Sequence, residues 1–134
     1  MEPKKTFDDS DEFKFTDKTI LIVEDTFYNI EYFKAILNNR GLNIIYTESG
    51  EEAIKISLEK NIDLILLDIQ LPNIDGYEVI KKIKDHKPTM KIIIQTAYSG
   101  EEERIKALEA GSIDYISKPI NKVLLLTLLK KHLS

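Results

Sequence analysis

DLILLDIQLPNIDGYE, residues 63–78, decides the fold. Four apolar residues stand in a row, Leu64, Ile65, Leu66 and Leu67, with Asp63 before them and Asp68 after. A run this short and this uniformly apolar fits a strand covered on both faces. Pro72, Asn73, Asp75 and Gly76 then break the chain. Asp75, followed three residues later by Glu78, has the spacing of a helix capping box. A buried strand leading through a turn into a helix is half of a βαβ unit.

Working outward, the same pattern repeats. Short runs rich in Ile, Leu and Val at residues 19–23, 43–47, 62–67, 91–95 and 113–116 read as strands. Helical segments lie between them, and a further one follows the last strand. The first, residues 28–39, sets Ile30, Phe33 and Leu37 on one face and stops at Gly41. Ser49 with Glu52 and Ser99 with Glu102 repeat the capping-box spacing, and Asn121 is placed to cap a last helix running to about His132. Strict alternation predicts an α/β fold: a doubly wound, five-stranded parallel sheet in a flavodoxin-like three-layer sandwich. The continuously apolar runs 20–23, 64–67 and 92–94 suit the centre. Runs 43–47 and 113–116 carry polar residues, including Asp114, and suit the edges. The order expected is therefore 2-1-3-4-5, with its ligand crevice beyond the carboxyl ends of the strands.

The chain has 134 residues, 43% of them apolar, enough for one domain with a real core. Residues 1–17 differ, with six acids, three lysines and scattered Phe7, Phe13 and Phe15. They read as an acidic tail or linker with a docked stretch around residues 13–15, ahead of a domain at 18–134. No cysteine is present, which removes disulfide frameworks, zinc–thiolate sites and cysteine nucleophiles. No apolar run approaches the roughly 20 residues of a membrane span, and residues 1–13 lack the apolar core of a secretory signal. Twenty-three acids against 19 bases, a net −4, argue against direct nucleic-acid binding. The expectation is a cytoplasmic protein away from membranes.

The strand ends carry the chemistry. Glu24 and Asp25 follow the first strand, Asp68 the third, Thr96 the fourth, and Ser117, Lys118 and Pro119 the fifth. Taken singly, Asp25 or Asp68 reads as a helix cap or turn former, Thr96 as a strand-end hydroxyl and Lys118 as a solvated lysine. Four strand ends pointing into one crevice make the joint coincidence improbable. Like charges about 4 Å apart repel by about 4 kcal/mol at an effective dielectric near 20. Three carboxylates there need raised pKa values or a cation among them. All-oxygen ligands favour Mg²⁺, with Mn²⁺ as the other choice. His86 and His132 sit beside lysines at predicted helix ends and read as dipole or solvated groups. The KKIKDHK run at 81–87 reads as a wet helix face.

LIVED at 21–25, the 63–78 stretch, IIIQTAY at 92–98 and ALEAGSIDYISKPI at 107–120 together resemble the response-regulator receiver domain of two-component signalling. The resemblance spans residues 19–133, and the QTAY and DYISKPI wording is similar to receivers of hybrid sensor histidine kinases. It implies that Asp68 is a phosphoacceptor, charged by a sensor histidine kinase or a histidine phosphotransfer protein. It implies Mg²⁺ held by Asp25, Asp68 and the Gln70 backbone carbonyl, with Glu24 acting through water. Lys118 would pair with a phosphoryl oxygen ahead of a cis bond to Pro119. Thr96 would be the switch hydroxyl and Tyr115 the aromatic that turns inward with it, while Pro72 and Gly76 match the turn after the acceptor strand. Gln70 and Tyr98 occupy positions that tune phosphoryl loss, and Glu24 replaces the commoner Asp.

A phosphorylation-independent pseudo-receiver is the competing reading, against which the intact set Glu24, Asp25, Asp68, Thr96 and Lys118 speaks. An aspartyl phosphatase of the haloacid-dehalogenase type would need Asp-x-Asp where Glu24-Asp25-Thr26 stands. A flavodoxin-like FMN binder would not place two carboxylates where the phosphate sits. Beyond its own phosphorylation and dephosphorylation, no enzyme activity is expected of the isolated chain. The surface expected to be read by partners, and a homodimer if one forms, runs over residues 101–134. The downstream effector is not legible. A free-standing regulator and a fragment of a hybrid kinase both fit.

Overall fold

The computed structural model describes residues 13–98 and 100–134. Five strands, β1 (Lys18–Val23), β2 (Leu42–Thr47), β3 (Leu64–Asp68), β4 (Ile92–Thr96) and β5 (Asp114–Ser117), form one sheet. Five helices alternate with them: α1 (Phe27–Leu37), α2 (Gly50–Glu59), α3 (Gly76–His86), α4 (Glu101–Glu109) and α5 (Lys122–Leu133). All pairings are parallel and the order is β2-β1-β3-β4-β5, as expected from the polarity of the runs. β3 and β4 are buried along their whole length, whereas β2 and β5 at the edges are partly exposed.

Alternation along each strand feeds two cores. Ile20, Ile22, Leu64, Leu66 and Ile93 pack with Phe33, Ile36 and Leu37 of α1 and with Leu125, Leu126 and Leu129 of α5. Leu21, Val23, Ile65, Leu67, Ile92 and Ile94 pack on the other face against Ala53 of α2, Val79, Ile80 and Ile83 of α3, and Ala107 of α4. Such parity cannot be read from a strand that is apolar at every position.

Three of the expected caps are in place. Ser49 accepts from the Glu52 N–H at 3.1 Å, Asp75 from the Tyr77 N–H at 2.9 Å, and Asn121 from the Leu124 N–H at 2.9 Å. The expected Ser99 cap falls on a residue outside those described. The N-cap of α4 is Gly100, at φ +121, a backbone conformation open to glycine. Gly76 at the start of α3 is pressed against Ile69, where a Cβ would lie 2.7 Å from its Cα. That close approach fixes the path of the chain immediately after Asp68.

Residues 1–12 of the acidic leader lie outside the described residues. Phe13, only 4% exposed, is part of the α1/α5 core. The Phe15 N–H donates to the Arg40 carbonyl at 2.7 Å, and the Lys130 ammonium donates to the Lys14 carbonyl at 3.0 Å. Gly41, at φ +83, makes this docking possible, because a Cβ there would meet the Phe15 carbonyl oxygen at 2.0 Å.

Candidate functional site

The carboxyl ends of the strands form the site. β1 ends against β3 in register, so Glu24 and Asp68 emerge side by side. Both are buried, at 0% and 2% exposure. Glu24 Oε2 accepts from the backbone N–H groups of Asp25 (3.0 Å) and Thr26 (3.3 Å), which turns the carboxylate back over its own loop. Asp68 Oδ1 accepts from the Gln70 N–H at 2.9 Å, and its Oδ2 accepts from the Lys118 ammonium at 2.6 Å. The same ammonium lies 3.7 Å from Glu24 Oε1. The Lys118 N–H donates to the Thr96 carbonyl at 2.7 Å, and the Lys118–Pro119 peptide is cis.

The electrostatics follow from this crowding. Burial, reinforced by the Asp68 charge, pushes the Glu24 carboxyl up to about 7, with Lys118 pulling the other way. Asp25 is exposed and stands at the rim. Glu24, Asp25 and Asp68 each present a carboxylate oxygen within 4.8 Å of the others. An all-oxygen cluster of that size, with formal charge −2 after Lys118 is counted, fits a hard divalent cation of the Mg²⁺ type.

The remaining predicted residues divide by location. Thr96 is buried, on the α4 side of β4, and its Oγ1 accepts from the Tyr98 N–H at 3.1 Å. Tyr115 is half-buried against the core on that same side. The Gln70 side chain reaches over the crevice to accept from the Ala97 N–H at 3.4 Å. Tyr98 is 58% exposed at the rim. An apolar cleft of about 390 Å³ adjoins the site, lined by Tyr28, Tyr32, Phe33, Lys118, Pro119 and Ile120. The Tyr32 hydroxyl closes one side of it by donating to the Ile120 carbonyl at 2.8 Å. The hollow at the opposite edge of the sheet, about 610 Å³ and lined by Lys18, His86 and Lys91 among others, holds none of these carboxylates.

One residue of this neighbourhood was not singled out from the sequence. Gln95 is completely buried beside Asp68, and neither its Nε2 nor its Oε1 has a partner. The available signal is a polar residue directly after three isoleucines in the strand and one place before Thr96.

Comparisons with known proteins identify the family. A family model described as the response regulator receiver domain matches residues 20–130. The polar-differentiation response regulator DivK of Brucella ovis is 39% identical over 120 residues, covering 87% of this chain and 96% of that protein. A cyclic di-GMP phosphodiesterase of Thermotoga maritima is 41% identical over 107 residues, covering 80% of this chain and 28% of that protein. The chain thus spans about a quarter of the phosphodiesterase and nearly all of DivK. The CheY-like receiver domain protein of Methanospirillum hungatei JF-1 superposes with a TM-score of 0.79 at 34% identity, over 87% of this chain and 93% of that one.

Proposed function

This chain belongs to the response regulator receiver domain family, and on that premise we propose that it accepts a phosphoryl group on Asp68 and signals by the resulting change of shape. Receivers of this family work with histidine kinases or phosphotransfer proteins, and the donor proposed here is a phosphohistidine on such a partner. A carboxylate oxygen of Asp68 attacks phosphorus, the phosphorus–nitrogen bond breaks, and the imidazole leaves with the electron pair. The product is an acyl phosphate on Asp68 and a neutral histidine once that nitrogen takes a proton.

The observation that carries this reading is the Lys118 ammonium, held between Asp68 at 2.6 Å and Glu24 at 3.7 Å. Carboxylate-to-phosphoryl transfer needs alignment and charge neutralisation more than covalent help. Lys118 supplies a fixed positive charge for an incoming phosphoryl oxygen, and the Thr96 hydroxyl a second donor. Asp25, Asp68 and the Gln70 carbonyl would hold Mg²⁺, with Glu24 reaching it through water. Bound there, the ion would neutralise charge shared by the acceptor and the phosphoryl oxygens. Movement of the Thr96 hydroxyl toward the new dianion leaves room that Tyr115, on the same side of the sheet, turns to fill.

Partners would read this change over residues 101–134, where Ile105, Leu108, Val123 and Leu124 are exposed. The docked residues 13–15 belong with the domain in this reading, and whatever precedes them is a tail or the join to a kinase. Among the described residues, no helix is long and apolar enough to cross a membrane, and a cytoplasmic site of action is proposed. Hydroxylamine tests the chemistry, since it converts an acyl phosphate to a hydroxamate. After treatment with acetyl phosphate and Mg²⁺, the hydroxamate is expected at Asp68. A hydroxamate at another acid would contradict the assignment, and none at all would favour a pseudo-receiver that docks without phosphorylation.

A further inference from the structure

Parallel register sets Gln95 directly beside Asp68 on one flank and Ile116 on the other. Leu66 and Ile93 share the α1/α5 core, so Asp68 and Gln95, each two residues further on, project from that same face. Glu24, two residues beyond Ile22 of the same core, completes the row. Three fully or almost fully buried polar side chains therefore run across the sheet as acid, acid, amide.

The amide is unlike its neighbours in having no work to do in the resting arrangement. Neither its donor nor its acceptor is paired. A buried group left so is destabilising, and an apolar side chain of similar length would remove that cost. Asp68 meanwhile has its Oδ2 occupied by Lys118. When Lys118 turns to a phosphoryl oxygen, Asp68 Oδ2 loses that donor while the carboxylate stays almost fully buried.

We propose that Gln95 is a positioning residue for Asp68, its amide N–H held in reserve for the acceptor oxygen that Lys118 releases during phosphoryl transfer. The inference rests on Asp68 being the acceptor. Holding that oxygen fixes the direction of the other, which attacks, and the alignment belongs to the transfer step rather than to the binding of the donor.

The test compares the parent with Gln95→Met and Gln95→Leu, following phosphorylation by acetyl phosphate with Mg²⁺ through intact mass, alongside thermal melting. Both variants are expected to melt at or above the parent temperature. Their maximal rate falls by roughly 5- to 10-fold while the half-saturating acetyl phosphate concentration stays unchanged, the pattern of an interaction made in the transition state alone. A folded variant that matches the parent rate overturns the proposal. In the parent itself, the Gln95 side-chain amide resonances are expected to shift on phosphorylation, and resonances that stay in place overturn it even if neither variant folds. A parent that takes no phosphoryl group overturns the reading of Asp68, and this inference with it.

Discussion

Lys118 and Asp68, fifty residues apart in sequence, meet at 2.6 Å because β5 and β3 flank β4 and deliver both side chains to one edge of the sheet. The contact joins a lysine that keeps some solvent access to an aspartate that has almost none. The same ammonium lies 3.7 Å from Glu24, so two buried carboxylates lean on one positive charge.

Removing the lysine exposes that dependence. Lys118→Met is expected to lower stability by about 1–3 kcal/mol at pH 8, less than a fully buried pair would because Lys118 is partly solvated. At pH 5, where Glu24 carries a proton, the loss should shrink. Urea unfolding at the two pH values checks this, and an equal loss at both contradicts it.

Glu24 itself gives a pH signature. Its carboxyl is raised from 4.5 to about 7 in the fold. The folded state then binds more protons than the unfolded chain between those values, so stability falls as pH rises through that window and is lowest above it. Glu24→Gln should flatten this slope and make the protein more stable at pH 8, by up to about 3 kcal/mol. Thermal melts from pH 4 to 8 on both proteins decide it, and a Glu24→Gln protein that is less stable at pH 8 refutes the assignment.

Phe13 predicts where the folded domain begins. Truncating this side chain, which is buried in the α1/α5 core, should cost about 3–5 kcal/mol. A denaturation midpoint unchanged in Phe13→Ala would show the leader to be dispensable.

Tyr98 stands at the rim, its N–H held by the Thr96 hydroxyl oxygen. On the proposed function its ring would stand in the way of water approaching an acyl phosphate at Asp68. Tyr98→Gly should shorten the phosphoryl lifetime by roughly 3- to 10-fold, about 1 kcal/mol in the barrier. Decay of the phosphorylated mass after donor removal measures it, and an equal or longer lifetime in the variant contradicts the role.

Most of the fold was legible because uniformly apolar runs mark strands covered on both faces, and polar residues in residues 43–47 and 113–116 mark edges. The convergence of Glu24, Asp25, Asp68 and Lys118 followed from strand order alone. What the sequence hid depended on side-chain direction. Parity vanishes in a run such as Ile92-Ile93-Ile94, so nothing revealed that Gln95 shares a face with Asp68. On α1 the buried face is Phe33, Ile36 and Leu37, so Ile36 takes the place expected of Ile30, which is only half-buried. The N-cap of α4 is Gly100 at a positive φ, a backbone choice that no side-chain spacing announces.

The most direct test of the central claim is the intact mass of the parent and of Asp68→Asn after incubation with Mg²⁺ and acetyl phosphate. The parent is expected to gain one phosphoryl group only when Mg²⁺ is present, and the folded Asp68→Asn protein to gain none. A phosphorylated Asp68→Asn protein, or a parent left unmodified by acetyl phosphate and by a phosphorylated histidine kinase alike, would contradict it.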